Sequence, residues 1–458
     1  MFIDKLVKHI LDTPFEAIPA ASIEHARLRL IDVASCTVGG ARADGNQAML
    51  DLVREWGGNH QATVLFYGDR VALPYAAMLN SLQSRSFDFE VTGPEAEGSN
   101  AGKMVGHVCS TTEPTALAVG EYCKASGTDL LAAVVIGGDV AARMAVADDF
   151  DFEKSFEVCG TANAFGATAI AGRLLGASHD QLVNAFGILA NLMAGSFQSL
   201  WDGVDTFKLP GAMAAYNGIL AVQLAMRGFT GLKDPVTSPH GYFHLYCNRP
   251  QPENALEDLG AVFYSQGMHK MHPSCYGNHN PIDSTLEILR NHSFAPEDVV
   301  DIALEVPTNR VRHFLFQPMT QDSGMVRALF SIPFAIANAI VRREVRLEHY
   351  TAPMMHDARV CELSRKVRFD PVLEPGNNQA SRLIITLTDG RKLEAARQFP
   401  RGWAKNPVTA DDVRSKYWRN VEYAGDIPQP SASQALELLD TLESVPDVSV
   451  LPRLFVRK

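Results

Sequence analysis

DLLAAVVIGGDVAARMAV, residues Asp129–Val146, is the stretch that decides the fold of the first half of the chain. Apolar residues dominate it, and small residues occur in pairs at 132–133, 137–138 and 141–142. Small side chains let helix axes approach closely, so this pattern predicts a buried helix within a tightly packed bundle. Similar Ala- and Leu-rich segments recur at 76–86, 112–125, 161–175, 179–199 and 210–227. The first half is therefore predicted to be an all-α domain.

The pattern changes after the Pro- and Asn-containing segment at 248–254. Residues 301–306 and 381–388 alternate polar with apolar side chains, and the second run leads through Asp389-Gly390, a hairpin signal, to residues 392–395. Helical patterns lie between these strands, at 325–342 and 355–365, and again after residue 410. We therefore predict a mostly α fold: a large all-α helical domain at 1–265 plus about 405–458, and a smaller α+β domain at 270–400.

Length and composition narrow the classes of protein that fit. A chain of 458 residues is too long for one core, and 46% apolar with 20% charged residues is typical of globular proteins. No run of eighteen apolar residues occurs, and the N-terminus lacks the apolar segment of a signal peptide, so we expect a cytoplasmic protein. Seven irregularly spaced cysteines argue against a disulfide framework.

The net charge of the chain restricts the kinds of partner that it can bind. The formal net charge of −11 disfavours nucleic acid and anionic membrane, because both require a basic face. A small anionic substrate fits only if a local pocket of Lys, Arg and His overrides the global sign. The expected partner is therefore a small molecule bound in a basic pocket.

The richest chemistry lies in HKMHPSCYGNHNPID, residues His269–Asp283. Pro and Gly break this stretch into turns, as in a loop, and loops often carry functional side chains. We place the active site here, with candidates Lys270, His272, Cys275, Tyr276 and His279. A metal site is the rival interpretation, but the stretch lacks the regular C-x₂-C or H-x₃-H spacing of zinc sites, so no metal and no cofactor are expected. A solvated loop between domains is the plain alternative.

Polar residues elsewhere extend this candidate site. Lys208 precedes a small-residue helix, where a cation is disfavoured by the helix dipole unless it serves a bound anion. His107 also lies just ahead of a helix and could share an anion with free backbone N–H groups. Asp88 and Glu90 form a carboxylate pair, and Glu157 lies at a helix entry. Plain alternatives are an exposed lysine, a solvated loop and a carboxylate that complements a helix dipole.

Motifs for other chemistries are absent from the sequence. No phosphate loop, G-x-G-x-x-G, G-x-S-x-G or H-E-x-x-H pattern occurs in the required context. The remaining Lys, His, Cys and carboxylate groups suit proton transfer, with cations to hold a developing oxyanion. An enzyme is therefore favoured over a binding module for carboxylates, which would need only the cations.

Several short motifs follow one another in a fixed order: Asp88 after a helix, His107 before an Ala-rich helix, Phe165-Gly166-Ala167-Thr168, Lys208 before Gly211-Ala212-Met213, Lys270-x-x-Pro273 with His279, and Asn406-Pro407-Val408-Thr409. Together they resemble the MmgE/PrpD family over nearly the whole chain. The resemblance implies a large helical domain with a smaller α+β domain, a homodimer, and cofactor-independent chemistry on a small di- or tricarboxylate.

The chain departs from the family pattern at positions that bear on activity. Dehydratase and decarboxylase members show histidines where this chain has Arg85 and Glu157, and Cys275 occupies a position held by histidine in the decarboxylases. The sequence is therefore most similar to the iminodisuccinate epimerase members. This implies epimerisation by proton abstraction and return beside a carboxylate; the alternatives are a 2-methylcitrate dehydratase-like or cis-aconitate decarboxylase-like lyase.

Residue roles follow from this resemblance as predictions. Lys208 and one of Lys270, Cys275 or His279 are assigned as base and acid, while His107 and the remaining cations hold carboxylates. The residues assigned to substrate binding are Arg85, Asp88, Glu157, His272 and Tyr276.

Overall fold

A computed structural model of the chain describes residues 1–149, 156–309, 313–320 and 322–458. Its first part is helical apart from a short antiparallel ladder of β1 (Ala62–Thr63) and β2 (Arg70–Val71). The helices of this part are α1 (Phe2–Asp12), α2 (Ala20–Gly40), α3 (Asn46–Trp56), α4 (Leu73–Arg85), α5 (Cys109–Cys123), α6 (Gly127–Val146), α7 (Ala162–Leu174), α8 (His179–Leu189), α9 (Gln198–Asp202), α10 (Leu209–Ala225), α11 (Tyr242–Leu245) and α12 (Pro252–Leu256).

Helix α6 shows why small residues recur in this part of the chain. The Ser126 side chain caps its N-terminus by accepting a hydrogen bond from the Asp129 N–H, and the helix is buried along almost its whole length. A Cβ atom at Gly137 would lie 2.3 Å from Ile170 Cγ1 on α7. Glycine is thus required at this crossing, and the close helix packing that the sequence predicts is confirmed.

The second part combines helices with a sheet. Its helices are α13 (His279–Asn291), α14 (Met325–Leu329), α15 (Ile332–Arg342), α16 (Ala352–Met355) and α17 (Ala358–Arg365), and its strands are β3 (Val299–Pro307), β4 (Val367–Leu373), β5 (Ser381–Leu387) and β6 (Lys392–Arg397). The strand order is β4-β3-β5-β6, with β3 parallel to β4 and antiparallel to β5. The predicted fold class, mostly α with an α+β part, is confirmed.

The end of the chain packs against the beginning. Helices α18 (Ala410–Ala424), α19 (Gln429–Asp440) and α20 (Leu451–Leu454) follow the sheet. Val413, Tyr417 and Phe455 lie in the same apolar core as Leu30 of α2. A second core lies beneath the sheet, and it also takes in Phe207 from the first part. The protein therefore has two apolar cores that adjoin one another in its interior.

Two predicted helices are shorter than the sequence pattern indicates. The helix predicted over 179–199 ends at Leu189, and that predicted over 325–342 is interrupted before Ile332. Pro333 explains the second interruption, because it lacks the N–H that a continuous helix would need. Across the described parts of the chain, none of the helices has the length and apolar character needed to cross a membrane.

Candidate active site

A cavity of about 360 Å³ lies at the boundary between the two cores. Its polar lining includes Arg85, Thr92, Lys103, His107 and Glu157 from the first part and Cys275, Tyr276 and Asn377–Gln379 from the second. Its apolar lining includes Met104, Phe197, Leu200, Phe314, Phe330 and Trp403. Clefts between domains with a few convergent polar groups are the usual places for substrate sites.

The turn after α4 sets the charges at one end of this cavity. Phe87 and Phe89 pack into the second core, and the alternating residues Asp88 and Glu90 point back toward Arg85. Asp88 has φ +47, a left-handed conformation that Asp tolerates better than most residues. Arg85 Nη1 donates to Asp88 Oδ1 and lies 3.3 Å from Glu90 Oε1. The turn therefore holds one cation between two buried carboxylates.

His107 joins this cluster through Glu90. Its Nδ1 lies 2.9 Å from Glu90 Oε1, and because a carboxylate can only accept, the proton is on Nδ1 and Nε2 keeps its lone pair. Burial, together with the nearby Arg85 and Lys270, lowers the pKa of His107 to about 3. Burial opposes ionisation of Glu90 as well, but Arg85 and His107 outweigh it and lower the pKa of Glu90 to about 2. At neutral pH the ring is thus a neutral acceptor beside an ionised carboxylate.

Glu157 supplies a group of the opposite kind. It precedes α7, is 7% exposed and lines the cavity. Burial raises the pKa of Glu157 above its usual value, although the Arg85 guanidinium acts in the other direction. A raised pKa favours the protonated carboxyl, which is the form that can donate a proton. The cavity therefore holds a candidate acid near a candidate base, since both groups interact electrostatically with Arg85.

The 269–283 stretch contributes two of its candidates directly. Cys275 and Tyr276 line the cavity, and the Cys275 N–H donates to the Leu329 carbonyl oxygen over 3.0 Å, which fixes the loop against α14. Burial raises the pKa of Tyr276, so its hydroxyl stays protonated. Two of the candidate residues of the 269–283 stretch therefore line the cavity.

The two lysines predicted to transfer protons lie behind the lining rather than in it. Lys270 is fully buried; it donates to the Asp88 carbonyl oxygen over 2.5 Å, and burial lowers its pKa to about 7. Lys208 Nζ donates to the Asp44 carbonyl oxygen over 2.5 Å and lies 3.4 Å from Ser86 Oγ. Burial lowers the pKa of Lys208 to about 8. Both lysines are therefore placed to support the turn that carries Arg85 and Asp88.

The two loop histidines that were predicted to act at the site, His272 and His279, also lie outside the lining of this cavity. His272 Nε2 is 3.0 Å from Asp283 Oδ1, an ordinary ion-pair or hydrogen-bond distance. His279 is buried, with its ring centroid 5.4 Å from that of His272 and 5.3 Å from that of Tyr276. Burial lowers the pKa of His279 well below its usual value, so it is neutral. The His279 ring therefore packs against Tyr276, and neither histidine lines the cavity.

A buried network of hydrogen bonds, which the sequence did not reveal, stabilises the turn that carries Asp88 and Glu90. Lys416 of α18 donates to both carboxylate oxygens of Asp32, over 2.9 and 2.8 Å, and to the Phe89 carbonyl oxygen over 2.6 Å. Asp32 Oδ1 also accepts from the Val91 N–H, and its Oδ2 lies 3.0 Å from His269 Nδ1. The network therefore ties both sides of the site to one carboxylate.

One group of side chains could offer ligands to a metal. Single ligand atoms of Asp88, Glu90 and His107 lie within 4.8 Å of one another. Arg85 contacts both carboxylates, and Lys270 Nζ lies 3.0 Å from Asp88 Oδ1. These cations contact Asp88 Oδ1 and Glu90 Oε1, whereas Asp88 Oδ2 and Glu90 Oε2 have no hydrogen-bond partner among the described residues. A metal ion at the cluster would have to lie beside Arg85 and Lys270, two cationic side chains. The donor set fits an ion-paired cluster better than a metal site.

Four cavity-lining residues have buried polar atoms that lack hydrogen-bond partners among the described residues. They are Arg85 Nε, Thr92 Oγ1, Glu157 Oε2 and Tyr276 Oη. Leaving such a group unpaired costs about 1–3 kcal/mol, so native proteins seldom do it without a functional reason. Donors and acceptors of this kind around one cavity are suited to a polar, oxygen-rich ligand.

Sequence reasoning missed several lining residues. Lys103 at the rim had a usable signal, because it is a cation in a Gly- and Asn-containing segment between two helices. Phe314, Phe330 and Trp403 had none, since aromatic residues at such positions are indistinguishable from core residues by sequence. Gln379 lies in the segment before β5, far along the chain from the first-part residues that face it.

Comparisons with known proteins identify the family of the chain. The model of the MmgE/PrpD N-terminal domain matches residues 4–255, and the model of the MmgE/PrpD C-terminal domain matches residues 272–441. The cis-aconitate decarboxylase-like protein oryM of Aspergillus oryzae is 24% identical, covering 95% of this chain and 93% of that protein.

Two further relatives are named cis-aconitate decarboxylase. That of Aspergillus terreus is 23% identical over 95% of this chain and 91% of its own length. That of Homo sapiens is 23% identical over 84% of this chain and 80% of its own length. The family and these relatives point to an enzyme, and nothing in them supports iminodisuccinate epimerase specifically. With its two domain models matched over most of its length, the chain belongs to the MmgE/PrpD family.

Proposed function

We propose that the protein is a lyase that removes CO₂ from a small di- or tricarboxylate of the cis-aconitate type. The observation that carries the proposal is that Glu157, a carboxyl whose pKa burial raises, lines the same cavity as the Arg85 guanidinium. One residue can hold carboxylates and the other can deliver a proton. The names of the relatives favour decarboxylation over the other reactions known in the family.

The proposed reaction balances with these groups alone. Cleavage of the bond between a carbon and its carboxylate releases CO₂ and leaves the electron pair on the substrate. A conjugated double bond and a neighbouring carboxylate delocalise that charge, and Arg85 stabilises it electrostatically. Glu157 then gives its proton to carbon, forming the new C–H bond, and recovers a proton from solvent. The net change is loss of CO₂ and gain of one proton.

Arg85 is suited to the binding role because it is held in place before any substrate arrives. Its Nη1 is anchored by Asp88 and Glu90, while Nε is buried without a partner. A guanidinium fixed in this way recognises a carboxylate with little loss of side-chain freedom. Thr92 and Tyr276 add hydroxyl groups to the same wall.

Epimerisation of an iminodisuccinate-like dicarboxylate is the second candidate. His107 Nε2, which keeps its lone pair, and the Glu157 carboxyl, whose pKa burial raises, come from different segments of the chain, and epimerisation needs a base and an acid on opposite faces of one carbon. Dehydration of a 2-methylcitrate-like substrate uses the same pair differently, with the acid assisting departure of hydroxide.

One set of assays separates these reactions. The purified protein is incubated in deuterated water with cis-aconitate, 2-methylcitrate and iminodisuccinate, and substrates and products are followed by NMR together with CO₂ release. The proposal expects CO₂ from cis-aconitate and one deuterium per product molecule, on one of the carbons over which the anion is delocalised. Deuterium exchange in iminodisuccinate without CO₂ release from cis-aconitate would instead identify an epimerase. A homodimer, proposed from the family resemblance, is tested by light scattering on the same preparation.

A further inference from the structure

A second pocket, with a volume of about 290 Å³, opens between α13, α15 and α18. It shares no lining residue with the candidate active site. Its charged lining residues are Arg290 of α13, Arg343, Glu344 and Arg346 just after α15, and Arg419 of α18. Helices of the second part and of the end of the chain therefore build this pocket together, and we name it the arginine pocket.

The charge of the arginine pocket is opposite to that of the protein. Four arginines and one glutamate leave a formal charge of +3 on its lining, whereas the whole chain carries −11. Guanidinium groups that lie close together repel one another, and an anion that binds among them relieves this repulsion. The pocket thus meets the condition that the net charge sets for an anionic ligand, a local cluster of cations that overrides the global sign.

Helix ends account for two of the arginines without any ligand. Arg290 lies in the last turn of α13, and Arg343 follows the last residue of α15, where cations complement the helix dipole. Arg343 Nη1 also donates to the Leu289 carbonyl oxygen over 3.3 Å. The same explanation does not apply to Arg419, which lies before the last turn of α18.

The acidic residue of the lining does not neutralise the remaining charge. Glu344 Oε2 lies 2.7 Å from Arg346 Nε, and Glu344 Oε1 lies 4.0 Å from His349 Nε2. Within the described ranges of the chain, Arg290 and Arg419 form neither an ion pair nor a side-chain hydrogen bond. Two guanidinium groups of the pocket therefore have donors available for a ligand.

The surroundings of Arg419 are electrostatically unfavourable. Burial lowers the pKa of Arg419, the nearby Arg346 and Arg401 act in the same direction, and Asp412 and Glu344 act against them. Asp412 is itself engaged, because its Oδ1 accepts a hydrogen bond from Arg401 Nη2 over 2.7 Å. An arginine stays charged at neutral pH despite such a shift, so Arg419 remains a partly desolvated cation without a counter-ion.

We propose that the arginine pocket binds a small molecule through a phosphate group, which Arg290 and Arg419 hold. The planar fork of a guanidinium matches the oxygens of phosphate and of carboxylate. A phosphate group carries about −1.5 to −2 charges at pH 7 and three acceptor oxygens, so a single group can serve both arginines. A carboxylate carries one charge and would leave the second arginine unbalanced. This site goes beyond the proposed function, since it uses neither Arg85 nor Glu157.

Binding of inorganic pyrophosphate tests the proposal. Equilibrium dialysis at low ionic strength and without metal ions measures the affinity of wild type, Arg290→Gln and Arg419→Gln for this probe. Hydrogen bonds between charged groups are strong enough that each substitution is expected to lower the affinity about tenfold. Two variants are used so that a folding defect in one does not decide the result, and thermal unfolding checks that each is folded.

Arg365→Gln is the matched control, because Arg365 is an exposed arginine of α17 outside the pocket and forms no ion pair within the described ranges. It removes the same charge and should bind pyrophosphate as wild type does. Absence of pyrophosphate binding to wild type would refute the proposal. Equal affinity in wild type, Arg290→Gln and Arg419→Gln would refute it as well, because binding would then take place elsewhere on the protein.

Succinate separates this site from the candidate active site. Under the proposed function, saturating succinate occupies Arg85 and should leave the affinity for pyrophosphate unaltered. Displacement of pyrophosphate by succinate, with equal affinity in wild type and Arg419→Gln, would place the anion in the candidate active site and overturn the proposal. Displacement that itself depends on Arg419 would show a carboxylate site and overturn the phosphate assignment. Absence of CO₂ release from cis-aconitate would contradict the proposed function alone, since the dialysis needs no turnover.

Discussion

Lys270 Nζ donates a hydrogen bond to the backbone carbonyl oxygen of Asp88 over 2.5 Å and lies 3.0 Å from the Oδ1 of the same residue. One side chain from the second part thus holds both the backbone and the carboxylate of a turn from the first part. Because both groups are fully buried, this contact couples the stability of the domain boundary to the geometry of Arg85 and its carboxylate partners.

Lys270→Met is therefore expected to destabilise the protein. Removing one partner of a buried ion pair costs about 3–5 kcal/mol, and the lower part of that range is expected because Asp88 keeps its contact with Arg85. Urea unfolding measures the free energy of unfolding. Lys392→Met, at an exposed position on β6, is the control. A loss no larger than that of the control would show that the Lys270 contact contributes nothing to the fold.

Glu157→Gln is expected to remove the proposed reaction while keeping the binding of succinate. Glutamine retains the shape of the side chain but has no acidic proton, and loss of a general acid typically lowers kcat by about 10²–10⁴-fold. In the wild type, kcat/KM should fall as pH rises through the raised pKa of Glu157, and any residual activity of the variant should lack this decrease.

Glu362→Gln, on the exposed side of α17, serves as the control for Glu157→Gln and should behave as wild type. Turnover by Glu157→Gln within a few-fold of wild type would remove Glu157 from the mechanism. Loss of succinate binding as well would assign it to binding instead.

The His107–Glu90 pair predicts the acid sensitivity of the fold. The folded-state pKa of His107 is lowered from 6.5 to about 3, so the unfolded chain takes up its proton first as pH falls below 6.5 and stability declines. The folded-state pKa of Glu90 is lowered from 4.5 to about 2, so its contribution is full above pH 4.5 and is lost as pH falls toward 2. Both effects have the same sign.

The measurement is the free energy of unfolding against pH in wild type and in His107→Gln. Wild type should lose up to about 1.4 kcal/mol per pH unit from this histidine below pH 6.5, and the variant should not. His292→Gln removes an exposed histidine and should leave the profile as in wild type. Parallel profiles for wild type and His107→Gln would contradict the assignment.

Lys208 was predicted to transfer a proton, and that role stays a prediction. Its contacts with Asp44 and Ser86 and its place outside the lining favour action through the neighbouring Arg85. On that basis Lys208→Met should lower kcat/KM by about tenfold, equivalent to 1.4 kcal/mol, with an unaltered pH profile. Complete loss of turnover together with loss of one limb of the pH profile would instead show that Lys208 takes part in the chemistry.

Much of the fold could be predicted from the sequence because its signals are local. Small-residue pairs predicted the packing of α6, and Asp389-Gly390 predicted the hairpin of β5 and β6. Strand β4 was missed because Pro371 argues against a strand, yet β4 lies at the sheet edge, where proline is tolerated.

The site was only partly predictable because side-chain direction depends on distant partners. Cys275 and Tyr276, which the sequence singled out, line the cavity, but the sequence could not show that Lys270 of the same loop is directed toward Asp88 and lies outside the lining. The aromatic lining was equally hidden, since Phe197, Phe314 and Phe330 come together only when the second core forms.

The contact of Lys416 with the Phe89 carbonyl oxygen spans 327 residues of sequence. During synthesis at roughly 5–20 residues per second, Lys416 is added on the order of tens of seconds after Phe89. Until then Asp32 lacks Lys416, the cation that pairs with it, and the Phe89 carbonyl oxygen lacks its hydrogen bond from the same lysine. The nascent helical part therefore holds an incompletely supported turn, and the candidate site is complete only when translation has reached Lys416 of α18.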